Sequence, residues 1–97
     1  MRYRLGIMTG ALVALAACDV PPEGTNEEDV ANYQAAVASI GCEMRGESDY
    51  LPVELQAGLT RQQAVDLTAY HITTEQAVKL EDGTVRLTVG GCAPETA

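Results

Sequence analysis

Aromatic and basic side chains are scarce in this chain of 97 residues. It contains no tryptophan or phenylalanine, four tyrosines, one histidine, and six lysines and arginines against 14 aspartates and glutamates. The scarcity of aromatic rings argues against an aromatic ligand platform, and the excess of acid argues against a surface that binds nucleic acid. The sequence also has no nucleophile elbow, phosphate-binding loop or zinc-ligand spacing. We therefore expect no enzyme activity, no cofactor, no metal site and no nucleic-acid partner.

The N-terminal segment has a pattern of its own. Arg2 and Arg4 precede thirteen uncharged residues, LGIMTGALVALAA, which lead into Cys18. A basic head, a short apolar run and a junction of small residues are typical of a secretory signal peptide. Thirteen residues span only about 20 Å as a helix, against roughly 30 Å of bilayer hydrocarbon. A permanent transmembrane helix is therefore the weaker alternative.

The junction Leu15, Ala16, Ala17 and Cys18 resembles the lipobox of bacterial lipoproteins, in which a leucine and two small residues precede an invariant cysteine. This resemblance covers only the first 18 residues. It implies a diacylglyceryl group on the Cys18 sulfur, cleavage before Cys18, and a membrane anchor. In enteric lipoproteins a residue like Asp19 signals retention at the inner membrane, so the resemblance implies its periplasmic face, with the outer membrane as the alternative. An ordinary signal peptide, which would leave Cys18 a spare thiol, remains open.

The cysteine count fits a lipid on Cys18. Three cysteines in an exported chain leave one odd thiol, and lipidation of Cys18 leaves Cys42 and Cys92 as a pair. An oxidising compartment favours a disulfide between them. That bond would close a loop of about 50 residues and contribute on the order of 4 kcal/mol in the chain-entropy model. Two buried free thiols are the alternative.

Composition divides the chain into four segments. Residues 1–17 are the predicted signal peptide, and residues 18–26 carry the lipidated cysteine and a flexible tether rich in proline and glycine. Residues 27–93 form one small periplasmic domain, and residues 94–97 form a tail. Without the signal peptide, 14 acidic side chains stand against four basic ones, a net charge of −10. The four basic residues are Arg45, Arg61, Lys79 and Arg86.

Local patterns predict a long first helix over residues 27–44. Its start has capping-box spacing, either from Thr25 to Glu28 or from Asn26 to Asp29. Apolar residues then recur at steps of three and four, which is typical of a helix with one buried face. They are Val30, Tyr33, Val37, Ile40 and Met44. Gly46 is expected to follow the end of this helix, and residues 46–50 are expected to form a loop.

Two more helices are predicted after that loop. Pro52 suits the first turn of a short helix over residues 51–57, which Gly58 would end. Thr60 and Gln63 have capping-box spacing at the start of a third helix over residues 61–71.

The C-terminal part changes to the period of a strand. Asp82 and Gly83 stand between alternating apolar residues, which is a signal for a β-hairpin with a two-residue loop. Such a loop would pair Leu80 with Val85, and Val78 with Leu87, on one face. A short helix over residues 74–80 is the alternative. The predicted fold class is therefore α+β: two longer helices and a short one, a C-terminal β-hairpin, and one disulfide.

The order of helix, short helix, helix and hairpin resembles a winged-helix domain over residues 27–89, on topology alone. In DNA-binding members of that family, the helix at the position of residues 61–71 enters the major groove. Arg61 is offset here by Asp66, and this acidic domain cannot supply the usual phosphate contacts.

We therefore predict a non-catalytic protein-interaction module, such as an accessory subunit of an envelope complex. The alternative is a small ligand- or metal-binding lipoprotein. The expected partners are the membrane, through the lipid on Cys18, and a protein. Contact surfaces are expected at residues 61–71, at the hairpin tip of residues 81–84, and at Tyr50 with Leu51.

Two further features have simple structural interpretations. His71 lacks the spacing to Cys42 and Cys92 that a metal site needs, and we expect it to interact with the dipole at the end of its helix. The acidic run Glu27, Glu28 and Asp29 suits a first helical turn, because consecutive helical residues point in different directions around the axis.

Overall fold

The computed structural model describes residues 20–94, and in this part of the chain helices and strands build an α+β fold. The helices are α1 (Glu27–Ser39), α2 (Glu47–Ala57) and α3 (Arg61–Thr73). The strands are β1 (Glu43–Met44), β2 (Ala77–Lys79) and β3 (Val85–Leu87), and a 3₁₀ turn (Gly90–Cys92) follows them. The strands form an antiparallel sheet in the order β1-β3-β2. The predicted class is confirmed, and β1 is a strand that the sequence patterns did not indicate.

Helix α1 begins where the capping signals placed it. Asn26 is the cap residue: its side-chain oxygen accepts a hydrogen bond from the amide of Asp29 at 2.9 Å. The Asp29 carboxylate in turn accepts one from the amide of Asn26 at 3.1 Å. The hydroxyl of Thr25 is used elsewhere, because it donates to the carbonyl of Pro22 at 2.6 Å. Of the two predicted capping boxes, the structure therefore uses the second.

The predicted end of this helix at residue 44 is wrong. Helix α1 stops at Ser39, because Gly41 and Cys42 adopt φ angles of 101° and 71°, in the left-handed region. The amide of Cys42 turns back to the carbonyl of Val37 at 2.9 Å, a bond that satisfies the helix end. Because the chain reverses there, Met44 lies in strand β1 rather than in the helix.

Helix α2 is longer than predicted at its N-terminal end. Gly46, which we expected to follow the end of α1, is the residue immediately before α2, and residues 47–50 are helical rather than a loop. Pro52 therefore lies inside the helix and not in its first turn. An internal proline removes one helical hydrogen bond, here to the carbonyl of Ser48, and α2 accommodates that loss. Gly58 ends the helix as predicted, with φ of 70°.

Helix α3 confirms the second capping box. The Thr60 hydroxyl accepts from the amide of Gln63 at 3.1 Å, and the Gln63 side chain accepts from the amide of Thr60 at 2.9 Å. The helix runs two residues past its predicted end. The alternative helix over residues 74–80 is wrong, because Glu75 has φ of 64° and residues 77–79 form β2.

The hairpin is present, but its predicted register is off by one residue. The observed partners are Ala77 with Leu87, Val78 with Arg86, and Lys79 with Val85. The loop has three residues rather than two, since the amide of Leu80 bonds to the carbonyl of Thr84 at 2.7 Å. A three-residue loop commonly ends with a residue in the left-handed region, and here Gly83 has φ of 91°.

That slip changes which side chains the sheet buries. Side chains alternate between the two faces of a strand, so a shift of one residue in the pairing moves every side chain of β2 to the opposite face. Ala77 and Leu87 consequently face the core, whereas Val78 and Leu80 are exposed.

The core lies between the three helices and the inner face of the sheet, and a disulfide fastens its edge. Its largest fully buried side chains include Tyr33, Val37, Val53, Leu67 and Leu87. Cys42 and Cys92 form the predicted disulfide, with Cα atoms 5.6 Å apart and a sequence separation of 50. The bond joins the start of β1 to the 3₁₀ turn, which packs against α1.

Candidate functional site

Polar side chains are buried between α1 and α3, and each has partners within the domain. The Tyr33 hydroxyl lies 2.7 Å from Oγ1 of Thr68, which itself donates to the carbonyl of Ala64 at 2.9 Å. Tyr33 is therefore the donor to Thr68. Burial raises the pKa of the Tyr33 hydroxyl to about 12, with the hydrogen bond to Thr68 opposing the change. This phenol is a structural group rather than a reactive one.

His71 belongs to the same buried cluster. Its Nδ1 lies 2.7 Å from the carbonyl of Leu67, so Nδ1 carries the proton and Nε2 accepts from the Gln34 amide at 3.0 Å. The ring stacks on Tyr33, with centroids 4.9 Å apart. Burial lowers the pKa of His71, and the bond to Leu67 opposes this. His71 lies in the last turn of α3, and because burial favours the neutral ring, its interaction with the helix dipole is weaker than that of a charged imidazole would be.

The other predicted site residues are spread over the domain. Cys42 and Cys92 are joined to each other, and Asp29 is part of the cap of α1. Within residues 20–94, no group of three or more histidine, cysteine, aspartate or glutamate side chains is placed to hold a metal ion. Cys18 and the three residues before it lie outside the described residues.

The arginines next to α2 are held by acids of the domain. Arg61 binds Glu47 at 2.6 Å and also Glu54, and its guanidinium lies over the ring of Tyr50, 5.3 Å from the centroid. Hydrogen bonds to the two carboxylates raise the pKa of Arg61, so it remains charged. Its charge is directed at α2 rather than at an external phosphate.

A similar ion pair flanks the start of α2. Arg45 lies 3.5 Å from Asp49 and 3.8 Å from Glu43. Glu43 also lies 3.3 Å from Arg86 of the neighbouring strand. Each arginine of the described part is thus paired with acid.

Exposed apolar side chains occur on α3 (Val65), on the hairpin (Val78 and Leu80) and on α2, and the two on α2 are among the most exposed. Leu51 and Leu55 are 54% and 75% exposed, whereas Val53 and Ala57 of the same helix are buried. At 100° per residue, the two leucines lie one turn apart and opposite the buried pair. We call Leu51 and Leu55 the leucine face.

The three predicted contact surfaces differ in how far they reach solvent. Residues 61–71 expose Gln62, Val65 and Ala69, which carry no charge. At the hairpin tip, residues 81–83 are exposed, but Thr84 is buried, so the tip is smaller than predicted. Leu51 is exposed as expected, whereas Tyr50 is half-buried beneath Arg61.

Leu55 is the most exposed leucine of the described residues, and it was not among the contact residues predicted from the sequence. The signal was present, because Leu51 and Leu55 form one stripe of α2 and Val53 and Ala57 form another. A helix of a small domain buries one stripe, and the choice between these two required the tertiary structure.

The segment before α1 is attached to the domain. Residues 22–25 form a turn in which the amide of Thr25 bonds to the carbonyl of Pro22 at 3.0 Å. The side-chain amide Nε2 of Gln63 donates to the carbonyl of Gly24 at 3.0 Å, which ties this turn to α3.

Comparison with known protein families, characterised proteins and solved structures finds no match to this chain. Among residues 20–94, no helix has the length and apolar character needed to cross a bilayer.

Proposed function

We propose that the chain is a bacterial lipoprotein whose small domain serves as a non-catalytic protein-interaction module at the periplasmic face of a membrane. The leucine face carries this proposal. Large apolar side chains grouped on the surface of a soluble domain commonly mark a contact site, whereas scattered single ones do not. Leu51 and Leu55 are neighbours on one helix and turn away from the core.

The anchoring part of the proposal rests on the lipobox residues Leu15, Ala16, Ala17 and Cys18. The disulfide between Cys42 and Cys92 supports export, because such bonds persist in oxidising compartments. Asp19 favours retention at the inner membrane over the outer membrane. A lipid on Cys18 would hold the domain close to the bilayer, since only residues 19–21 separate it from the turn that Gln63 fastens to α3.

The winged-helix likeness is a further part of the proposal, supported by the order of the elements. Helix α3 then occupies the position of the helix that DNA-binding members insert into the major groove. Because Arg61 is held by Glu47 and Glu54, and the charge of the domain is strongly negative, we propose protein rather than nucleic acid as the partner.

The lipid is tested first by growing cells with a labelled fatty acid. The full chain should incorporate the label and remain with membranes, and the Cys18→Ala variant should do neither. Equal membrane retention of both chains, without label, would contradict the anchor.

The partner is tested by a pull-down in mild detergent with a C-terminal tag. We expect a membrane protein at fixed stoichiometry with the full chain, and its loss with Cys18→Ala. A solitary protein in both samples would contradict the interaction module.

A further inference from the structure

We propose that the leucine face of α2 docks a basic amphipathic helix of the partner protein, with apolar residues against Leu51 and Leu55 and lysines or arginines around them. This inference rests on the proposed function, since it names the surface and the partner chemistry of the interaction module. Recognition of an amphipathic helix through its apolar side is a recurrent mode of protein binding.

The position of the leucines indicates an external contact. Helix α2 already buries Val53 and Ala57 against the core, and Leu51 and Leu55, on the opposite side of the helix, contribute little to that packing. Covering a leucine side chain removes apolar surface from water and so stabilises a contact in proportion to the area covered. With exposures of 54% and 75%, Leu51 and Leu55 keep more than half of their surface available for such a contact.

The net charge of the domain favours a basic partner. Glu47 precedes Leu51 by four residues, so it lies on the same side of α2; its side chain is 83% exposed, and its charge is paired with that of Arg61. The two arginines beside α2, Arg45 and Arg61, are both engaged by carboxylates. No uncommitted cation is therefore available there to attract an acidic partner, and the mature chain has a net charge of −10. Opposite charge on the partner accelerates the encounter and suppresses wrong pairings.

The same charges disfavour two other occupants. A second copy of the chain would bring a second strongly acidic domain against the first. An anionic lipid surface would repel the domain as well. Sedimentation detects a second copy of the chain, and binding to vesicles detects lipid.

The test uses the full lipidated chain in discs of phosphatidylcholine, a neutral lipid. The probe is a labelled 18-residue helical peptide with leucines on one side and lysines on the other, and a second peptide replaces every lysine by glutamate. Fluorescence anisotropy gives the dissociation constant, with empty discs as the blank. The Leu51→Ser, Leu55→Ser double variant is compared with Val78→Ser, which changes an exposed apolar residue on the sheet (49% exposed).

We expect the lysine peptide to bind and the glutamate peptide not to bind. The leucine double substitution should raise the dissociation constant of the lysine peptide at least tenfold, and Val78→Ser should change that constant less than twofold. Circular dichroism and melting temperature should stay the same in both variants, because the substituted side chains are exposed. Equal affinity of the double variant and the unchanged chain would overturn the proposal, as would equal binding of both peptides.

Two further measurements identify the other occupants. If the leucine substitutions abolish self-association of the detergent-solubilised chain in sedimentation and leave peptide binding unchanged, a second copy covers the face. If they instead abolish binding of the Cys18→Ala chain to phosphatidylcholine vesicles, lipid covers it. Either result overturns the basic helix as partner. A pull-down partner that the double variant retains would leave the interaction module intact while contradicting this docking face.

Discussion

At the contact between α1 and α3 the chain buries hydroxyl, imidazole and amide groups, whereas on the outer face of α2 it exposes two leucines. The buried groups belong to Tyr33, Thr68 and His71, with Gln34 at the edge, and each is hydrogen-bonded. Within residues 20–94, no buried side-chain nitrogen or oxygen lacks a partner. The leucine face has no comparable cover.

The difference shows that polarity alone does not determine what this domain buries. A buried polar group is tolerated when all its hydrogen bonds are made inside the protein, and it then fixes one packing arrangement. An exposed leucine adds little to folding, and for that reason we propose a role outside the domain for the leucine face. The polar groups of the α1–α3 contact thus find all their hydrogen-bond partners within the domain. The outer face of α2 is exposed, and it is there that we propose the partner binds.

The largest expected effect follows from removing the disulfide, which fastens the edge of the core and involves neither leucine of the leucine face. The Cys42→Ala, Cys92→Ala double variant should lose about 4 kcal/mol of unfolding free energy, because the unfolded chain regains the entropy of a long loop. Urea denaturation measures the loss. Reductant added to the unchanged chain is the control and should give the same loss, whereas an unchanged urea midpoint would contradict the prediction.

A matched pair of leucines tests the comparison directly. Leu67 is fully buried in α3, and Leu67→Ala should cost about 2–5 kcal/mol by leaving a cavity. Leu55→Ala, the same change on the leucine face, should alter the unfolding free energy by no more than about 0.5 kcal/mol. Thermal and urea denaturation of both variants give the values. A large loss with Leu55→Ala would show that the leucine face is part of the core.

The hydrogen bond between the buried hydroxyls of Tyr33 and Thr68 can be removed by a substitution of either residue. Thr68→Val should cost about 1–3 kcal/mol, because it leaves the Tyr33 hydroxyl buried without its acceptor. Adding Tyr33→Phe to that variant should cost little more, since the unsatisfied group is then gone. Thr73→Val, at an exposed position of the same helix, is the control. If the losses of unfolding free energy from Thr68→Val and Tyr33→Phe simply add in the double variant, the two hydroxyls do not stabilise the fold through their hydrogen bond.

The smallest effect concerns pH and His71. Because burial lowers the pKa of His71 in the folded state below 6.5, the unfolded chain binds the proton more readily. Stability from the neutral ring is fully present above pH 6.5 and is lost as the pH falls below it. The slope cannot exceed about 1.4 kcal/mol per pH unit for one proton. Urea denaturation at pH 7.5, 6.5 and 5.5 should show this decline, and His71→Gln should remove it; a flat profile for the unchanged chain would contradict the assignment.

Features set by neighbouring residues were predictable from the sequence. The capping boxes at Asn26 and Thr60, the stop at Gly58 and the existence of the hairpin each depend on a few adjacent residues. The pairing of Cys42 with Cys92 followed from counting thiols once a lipid on Cys18 was assumed. The α+β class followed from these elements together.

Features set by distant contacts were not predictable in the same way. The two residues of β1 carry too little pattern to indicate a strand, and their partner in β3 is remote in sequence. Nothing in the repeat of apolar residues shows that Gly41 reverses the chain. The burial of His71 depends on Tyr33 and Gln34 of another helix, and the exposure of Leu55 depends on which side of α2 meets α1.

Strand β1 also imposes an order on how the chain assembles. Arg86, the partner of Glu43, is 43 positions further along the chain, whereas β2 and β3 are joined by a short loop. Bringing distant segments together costs more conformational entropy than closing a hairpin. The hairpin is therefore the local step, and β1 can attach only to a β3 that has already been made. Strand β1 therefore joins the sheet only after β3 has formed, and Cys42 beside it cannot form its disulfide until Cys92, which follows β3, has been synthesised.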